Sequence, residues 1–318
     1  MLSVIVCTHN PRRDYLQRCL GGLRGQTLPY DDWELIVIDN RSDEAVAGLI
    51  DLSWHRNQRA LREDQLGLTF ARLRGIREAR GELLVFVDDD NVLDPDYLEK
   101  AAAIAEEYPH FAAWSGSCKG EFEIQPEKWA RKYIGPLCVS QFDRDYWCNF
   151  PFLNRAMPSG AGLCLRMPAA RQYLELHESG LRPMVLDRTG KSLLSGGDID
   201  IVLTCARNGY GIGVFKRLKL THLIPKIRVQ KSYLLNLTEA LGFTSQIIEF
   251  YHPSPPGPPS SELKRRIANV LRALLMSSLD REFFKANHRG QLAGQRAVEQ
   301  LKRTVSFGFA LSGATRQG

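Results

Sequence analysis

Three carboxylates stand side by side in LLVFVDDDNV, where Asp88, Asp89 and Asp90 follow the apolar run Leu83–Val87. Two unit charges roughly 5 Å apart repel by about 3 kcal/mol at an effective dielectric near 20. Such crowding calls for a cation, or for a ligand that carries one. Two other apolar runs end in polar groups in the same way: Leu2–Cys7 in Thr8-His9-Asn10, and LIVIDN in Asp39-Asn40. One acidic strand end is common, whereas three that converge are more selective evidence of a site. Further along, GGDIDI places Asp198 and Asp200 just after two glycines, and KLTHLIP carries His222.

These residues need a frame to position them. Leu2–Cys7, Leu35–Asn40 and Leu83–Val87 are near-continuous apolar runs, as buried parallel strands are. Helical patterns over Tyr15–Arg24 and Gly67–Arg80 separate them. Strands alternating with helices predict an α/β domain with a mainly parallel central sheet flanked by helices. Right-handed crossovers bring the strand ends to one edge, where open sheets of this kind bind ligands. Residues 113–222 are less regular and rich in aromatics, including Trp114, Trp129, Trp147 and Phe152. Within them a helix enters through Gly196-Gly197-Asp198 and stops at Asn208-Gly209, and a strand follows that ends near His222. The expected organisation is a catalytic domain over 1–222, with halves 1–112 and 113–222. A helical segment over 223–252, a proline-rich linker over 253–261 and a basic amphipathic helical tail over 262–318 complete it.

At 318 residues, with 44% hydrophobic and 25% charged residues, the composition is that of an ordinary globular chain. No apolar run reaches about 18 residues, so no transmembrane helix is expected. The start, MLSVIVCTHN, reads as a first strand and not as a signal peptide. Seven scattered cysteines without a CxxC pair point to reduced thiols in the cytoplasm and away from a zinc site. The net charge of +6 is concentrated: residues 261–318 hold eleven Lys/Arg against four Asp/Glu. In this tail Lys264, Arg265, Arg266 and Arg272 lie opposite a leucine face. One reading is peripheral contact with anionic lipid at the inner face of the membrane; the other is packing on the catalytic domain with the charges in water. Nucleic-acid binding is disfavoured, because the catalytic half is near neutral and no recognition motif is present.

Four segments, VIVCTHN, ELIVIDNRSD, GLTFARLRGIREARGELLVFVDDDN and GGDIDI, resemble the inverting glycosyltransferases of family 2, in that family's order and at about its spacing. The resemblance covers roughly residues 1–222 and implies the GT-A type nucleotide-diphospho-sugar transferase fold. It implies a nucleotide-diphosphate sugar donor across the strand ends and a glycan or lipid-linked acceptor, in polysaccharide or cell-envelope glycan synthesis. Thr8 and Asn10 would lie beside the nucleoside, Asp39 at the base edge, Arg72 near the diphosphate, and Asp88 and Asp89 on the donor side. Asp90 would be the metal ligand, with His222 completing the metal site. The family's Glu-Asp pair falls on Gly197-Asp198, which makes Asp198 the candidate base. Two positions depart from the pattern: Leu73 stands where an asparagine is usual, and Gly197 where a glutamate is. Asp200 is an alternative source of the missing acidity, and Trp147 a candidate acceptor platform.

Inverting sugar transfer needs a base to take the acceptor's proton, typically worth about 10²–10⁴ in rate, and positive charge on the departing diphosphate. Oxygen ligands suit Mg²⁺ or Mn²⁺, and a histidine ligand tilts the choice to Mn²⁺. Plainer roles are open for several of these residues. Asp39-Asn40 also fits an Asx-turn, Asp198 a helix cap, Arg72 a solvated helix face, and His222 a satisfied core histidine. A non-catalytic sugar- or nucleotide-binding scaffold is one rival function. A nucleotidyltransferase is another, although CTHNPRRD has no glycine-rich loop. A dinucleotide-dependent oxidoreductase is weaker, since Gly209–Gly213 precedes a strand instead of linking strand to helix.

Overall fold

The computed structural model describes residues 1–255 and 276–314, with residues 304–314 as backbone only. The residues form two compact units, 1–191 with 197–230, and 192–196 with the segment from 231 onward.

The first unit is built on a nine-stranded sheet whose spatial order is β3 (Gln58–Arg62), β2 (Trp33–Asp39), β1 (Leu2–Thr8), β4 (Leu83–Asp88), β8 (Cys164–Arg166), β6 (Phe111–Phe122), β9 (Gly211–Ile224) and β5 (Asn91–Leu93), with β7 (Tyr146–Cys148) paired on β9. Its first part comprises β1 (Leu2–Thr8), β2 (Trp33–Asp39), β3 (Gln58–Arg62) and β4 (Leu83–Asp88). All pairings among these four are parallel, as the apolar runs predict. Every residue of β1 and β2 is buried, because both faces are covered. Val4, Val6, Leu35, Val37, Val85 and Val87 enter one core, and Ile5, Ile36, Ile38, Leu84 and Phe86 the other. Burying each such side chain is worth about 1.5–3 kcal/mol, so these alternations fix the register. In that register Thr8 lies opposite Asp39, and Cys7 opposite Asp88. The polar strand ends are therefore level.

The helices α1 (Arg13–Arg24) and α2 (Leu68–Glu78) are crossovers among these strands, and α3 (Tyr97–Glu107) leads on into the second part. Beyond them the sheet is mixed. β8 (Cys164–Arg166) runs antiparallel to both β4 and β6 (Phe111–Phe122), whereas β9 (Gly211–Ile224) is parallel to β6. β5 (Asn91–Leu93) and β7 (Tyr146–Cys148) both pair antiparallel to β9. The helices α4 (Met167–Glu178) and α5 (Gly197–Arg207) complete this unit. The expected mainly parallel sheet thus holds for β3-β2-β1-β4 and for β6-β9. The antiparallel strands β5, β7 and β8 have only three residues each, too few to show a period. β3 was hidden for another reason: its burial alternates at the sheet edge, and two arginines lie within it.

In the second unit α6 (Lys231–Tyr251) lies within the segment 223–252 expected to be helical, whose first residues instead end β9 and form a 3-10 turn, and α7 (Ser278–Ala314) is a long helix beside α6. Glycines allow their close approach. A Cβ on Gly290 would lie 1.9 Å from the Glu239 carbonyl oxygen, and one on Gly242 2.3 Å from that of Asn287. Ion pairs Lys231–Glu282 and Arg289–Glu239 flank the seam. Lys264, Arg265, Arg266 and Arg272 of the expected amphipathic tail lie outside the described residues. Among the described residues no helix is long and apolar enough to cross a membrane.

Candidate active site

Asp88 ends β4, and Asp89 and Asp90 turn the chain into β5. The pairing of β5 with β9 sets Asn91 opposite His222, and the Leu223 amide donates to the Asp90 carbonyl (2.8 Å). That short antiparallel pair brings together two residues 132 positions apart. His222 Nε2 lies 3.3 Å from Asp90 Oδ2. Arg228 bridges them, with Nη1 2.9 Å from His222 Nε2 and Nη2 2.9 Å from Asp90 Oδ2. Since Arg228 donates to Nε2, the imidazole proton sits on Nδ1 and is donated to the Leu137 carbonyl (2.8 Å). The Nε2 lone pair and the Asp90 carboxylate therefore face one cationic point.

The three aspartates meet their mutual repulsion differently. Burial alone would raise Asp90, but the positive charge facing it, with Arg228 in direct contact, overcomes this and holds its pKa well below the usual carboxylate range. Asp88 is pushed up by burial, with Arg72 opposing and Asp90 reinforcing the rise. Asp89 is raised to about 7 by burial and by Asp90, against a hydrogen bond from Thr8 Oγ1 at 2.5 Å.

Across the cleft α2 presents Arg72, which is buried and does not lie on a solvated helix face. Its Nη1 pairs with Asp187 Oδ2 at 3.1 Å, and its Nη2 lies 3.9 Å from Asp88 Oδ1. Burial works against its charge, but Asp187, Asp88 and Asp198 more than offset that. Asp198, in the first turn of α5, accepts the Gly160 amide on Oδ2 (2.8 Å) and the Ile199 amide on Oδ1 (2.9 Å). The helix N-terminus favours its carboxylate there. Burial nevertheless raises its pKa, with Arg72 pulling the other way. A Cβ on Gly160 would meet Arg72 Nη2 at 3.0 Å and Asp198 Oδ2 at 3.1 Å, so the two groups face each other over this glycine.

Asp39 makes the turn that was one of its two readings. Its oxygens accept the Ser42 amide (2.9 Å) and the Val46 amide (3.2 Å), and Arg62 lies 3.4 Å away. Burial opposes ionisation, but these donors win and its pKa is lowered. Asn40 pins the approach to α2, donating to the Gln65 carbonyl and accepting the Gly67 amide. Asn10, in the left-handed region at φ 47°, exchanges hydrogen bonds with Asp43 at the surface.

Two candidates are not brought to this group. Asp200 is buried, with both oxygens on Arg182 Nε at 3.1 and 3.2 Å. Positions two apart on a helix do not share a face, so when Asp198 meets the cleft Asp200 faces away. Trp147 lies on β7 against the start of β9, its ring 6.0 Å from Phe111 at the start of β6 and not at the acidic strand ends. Conversely, three residues of the site were missed. Asp187 and Arg188 sit in the loop before α5, where Arg188 acts electrostatically on Asp88 and Asp90. Arg228 follows β9 in a single 3-10 turn. The only signal for them was charge in the short stretches LDRTG and PKIRV.

Among the described residues no group of three or more His, Cys, Asp or Glu side chains forms a metal cage. Asp90 and His222 make a carboxylate–imidazole pair. Two protein ligands fit a cation whose coordination is completed by phosphate oxygens and water, as is usual for Mg²⁺. The imidazole favours Mn²⁺.

Residues 3–157 match the family model for glycosyl transferase family 2. The chain carries a family 2 glycosyltransferase domain. Over 101 residues it is 32% identical to EpsH of Bacillus subtilis, named as a glycosyltransferase, which is 31% of this chain and 28% of EpsH. Over 111 residues it is 31% identical to the poly(ribitol-phosphate) beta-N-acetylglucosaminyltransferase TarS of Staphylococcus aureus, which is 33% of this chain and 19% of TarS. The chain thus matches less than a third of either relative's length. The crystal structure of S. aureus TarS 1–349 in complex with UDP-GlcNAc superposes with a TM-score of 0.52 at 15% identity, covering 95% of this chain and 91% of that one. At that identity the likeness speaks for the fold, which is the expected α/β one.

Proposed function

We propose that this protein transfers a sugar, with inversion, from a nucleoside-diphosphate sugar to a glycan or lipid-linked acceptor in polysaccharide or cell-envelope glycan synthesis. The observation that carries this reading is the arrangement over Gly160, where Arg72 stands between the donor-side Asp88 and a half-buried Asp198. The raised pKa of Asp198 suits a general base, since proton transfer is most effective when the base titrates near the working pH. Asp198 takes the acceptor hydroxyl's proton as that oxygen attacks the anomeric carbon. The bond from that carbon to the diphosphate breaks on the opposite face.

Arg72 orients Asp198 and meets developing charge on the leaving diphosphate. Arg188 and Arg228 add positive charge beside Asp88 and Asp90. Asp90 and His222 would hold a divalent cation, which when bound acts as a Lewis acid on the diphosphate oxygens. Thr8, Asn10 and Asp39, at the level ends of β1 and β2, form the nucleoside side. The UDP-GlcNAc bound by TarS makes UDP-sugars the first donors to try.

Nucleoside diphosphate release from UDP-sugars should require Mn²⁺ or Mg²⁺ and stop on chelation. Asp198→Asn should retain UDP binding and lose release. Wild-type protein that binds UDP-sugars but never releases UDP would fit a binding scaffold instead.

A further inference from the structure

Asp187 lies in the loop between α4 and α5, and its carboxylate is buried. Oδ1 accepts the Gly197 amide (3.1 Å), while Oδ2 accepts Thr69 Oγ1 (3.0 Å) and Arg72 Nη1 (3.1 Å). One side chain thus ties the start of α5 to the first turns of α2. The space it fills belongs to position 197. A Cβ on Gly197 would lie 2.1 Å from Asp187 Oδ2 and 2.5 Å from its Cγ, closer than such atoms approach. A side chain at 197 and the carboxylate of Asp187 exclude each other.

We propose that Asp187 is a positioning residue for Arg72, supplying from the loop the carboxylate that position 197 lacks, and that Gly197 is glycine to admit it. A buried guanidinium needs a full partner. Arg72 has three carboxylates within reach, and only Asp187 lies off the cleft. Without it the guanidinium would close on Asp88 or Asp198. It would then cover the donor-side acid or quench the base. With it, Nη1 is anchored and Nη2 is left facing the cleft over Gly160. The tie to the Gly197 amide also makes the position of Arg72 depend on the start of α5, the element that carries Asp198.

This inference rests on the transfer reading of the site, and the experiment separates the two. UDP binding is measured by calorimetry in Mn²⁺, with donor turnover, for Asp187→Asn, Asp187→Gly, Gly197→Glu, and the exchange Asp187→Gly with Gly197→Glu. Asp187→Asn keeps an acceptor for the Gly197 amide and should weaken UDP binding about tenfold. In an Arg72→Gln background the same change should alter binding less than about twofold, because the two residues act as one unit. Gly197→Glu alone should be damaging, and the exchange should recover binding and turnover above either single variant. An undiminished effect of Asp187→Asn in the Arg72→Gln background, or an exchange no better than its parts, would overturn the proposal and leave only a loop-fastening role. Wild-type protein that binds no UDP would overturn the transfer reading together with this inference. Wild-type binding with an indifferent Asp187→Asn overturns this inference alone.

Discussion

Replacing Arg72 with glutamine should move the acid limb of the pH–rate profile upward. Arg72 Nη2 and Asp198 Oδ2 lie 3.0 and 3.1 Å from the same point above Gly160, so they are at most about 6 Å apart. At an effective dielectric near 20, unit charges at that distance interact by about 3 kcal/mol, equivalent to roughly 2 pH units. Asp198 is only half-buried, and water in the cleft reduces this to about 1 unit. Arg72 favours the ionised carboxylate, so its loss raises an already elevated pKa. The unpaired Asp187 left behind pushes in the same direction. Less base is then ionised at any pH on the limb. The midpoint of kcat/KM, followed from about pH 5 to about pH 9 as nucleoside diphosphate release, should rise by about 1 unit. The plateau should fall as well, through lost leaving-group stabilisation. A carboxyl ¹³C titration of the donor-free protein should show the same upward shift at Asp198 without any turnover. A limb that stays in place, or moves down, would refute Asp198 as the group that Arg72 tunes.

Asp89→Asn should stabilise the protein at about pH 8, measured as thermal midpoint in chelator, and leave it unchanged near pH 4. The folded pKa of Asp89, about 7, exceeds the ordinary aspartate value of about 4, so its native form loses relative stability as pH rises between these two values. Arg228→Gln should tighten Mn²⁺ binding severalfold by calorimetry without donor, since the guanidinium now occupies the approach shared by Asp90 and His222. Weaker binding would show that Arg228 organises the pair instead of competing for it. Asp200→Asn should cost about 3 kcal/mol in denaturant unfolding by breaking a buried ion pair with Arg182, with kcat much less affected than in Asp198→Asn.

The first half of the sheet was legible because burial on both faces writes itself as unbroken apolar runs. Leu2–Cys7, Leu35–Ile38 and Leu83–Val87 could be read directly, and each ended in the polar residues that matter. The second half was not, since three-residue strands carry no period and their pairing is set by neighbours far along the chain. His222 illustrates the division: the histidine is plain in KLTHLIP, but its meeting with Asp90 depends on β5, which is three residues long. Asp198 was favoured over Asp200 by the resemblance alone. The facing of α5, with Arg182 behind and Gly160 in front, tells them apart. Asp187 was least legible of all, because its meaning lies in the absent side chain at 197.

The crowding of Asp88, Asp89 and Asp90 is resolved by giving each a different electrostatic state. Asp90 keeps its charge against a histidine and an arginine, and Asp88 leans on Arg72 across the cleft. Asp89, beside Thr8, is raised to about 7 and so titrates around neutrality. An arrangement designed only for stability would not need three carboxylates, since paired buried charges seldom outperform apolar packing. What it achieves is responsiveness. A divalent cation brought with the diphosphate to Asp90 and His222 would lower the pKa of the carboxylates beside it. Asp89, titrating nearest neutrality, is then the first to release its proton. Donor binding should therefore release a proton near pH 7, and the heat of UDP binding with Mn²⁺ should depend on the ionisation enthalpy of the buffer. That dependence should shrink in Asp89→Asn. If it persists there undiminished, the released proton comes from another group and the three aspartates are not graded in this way.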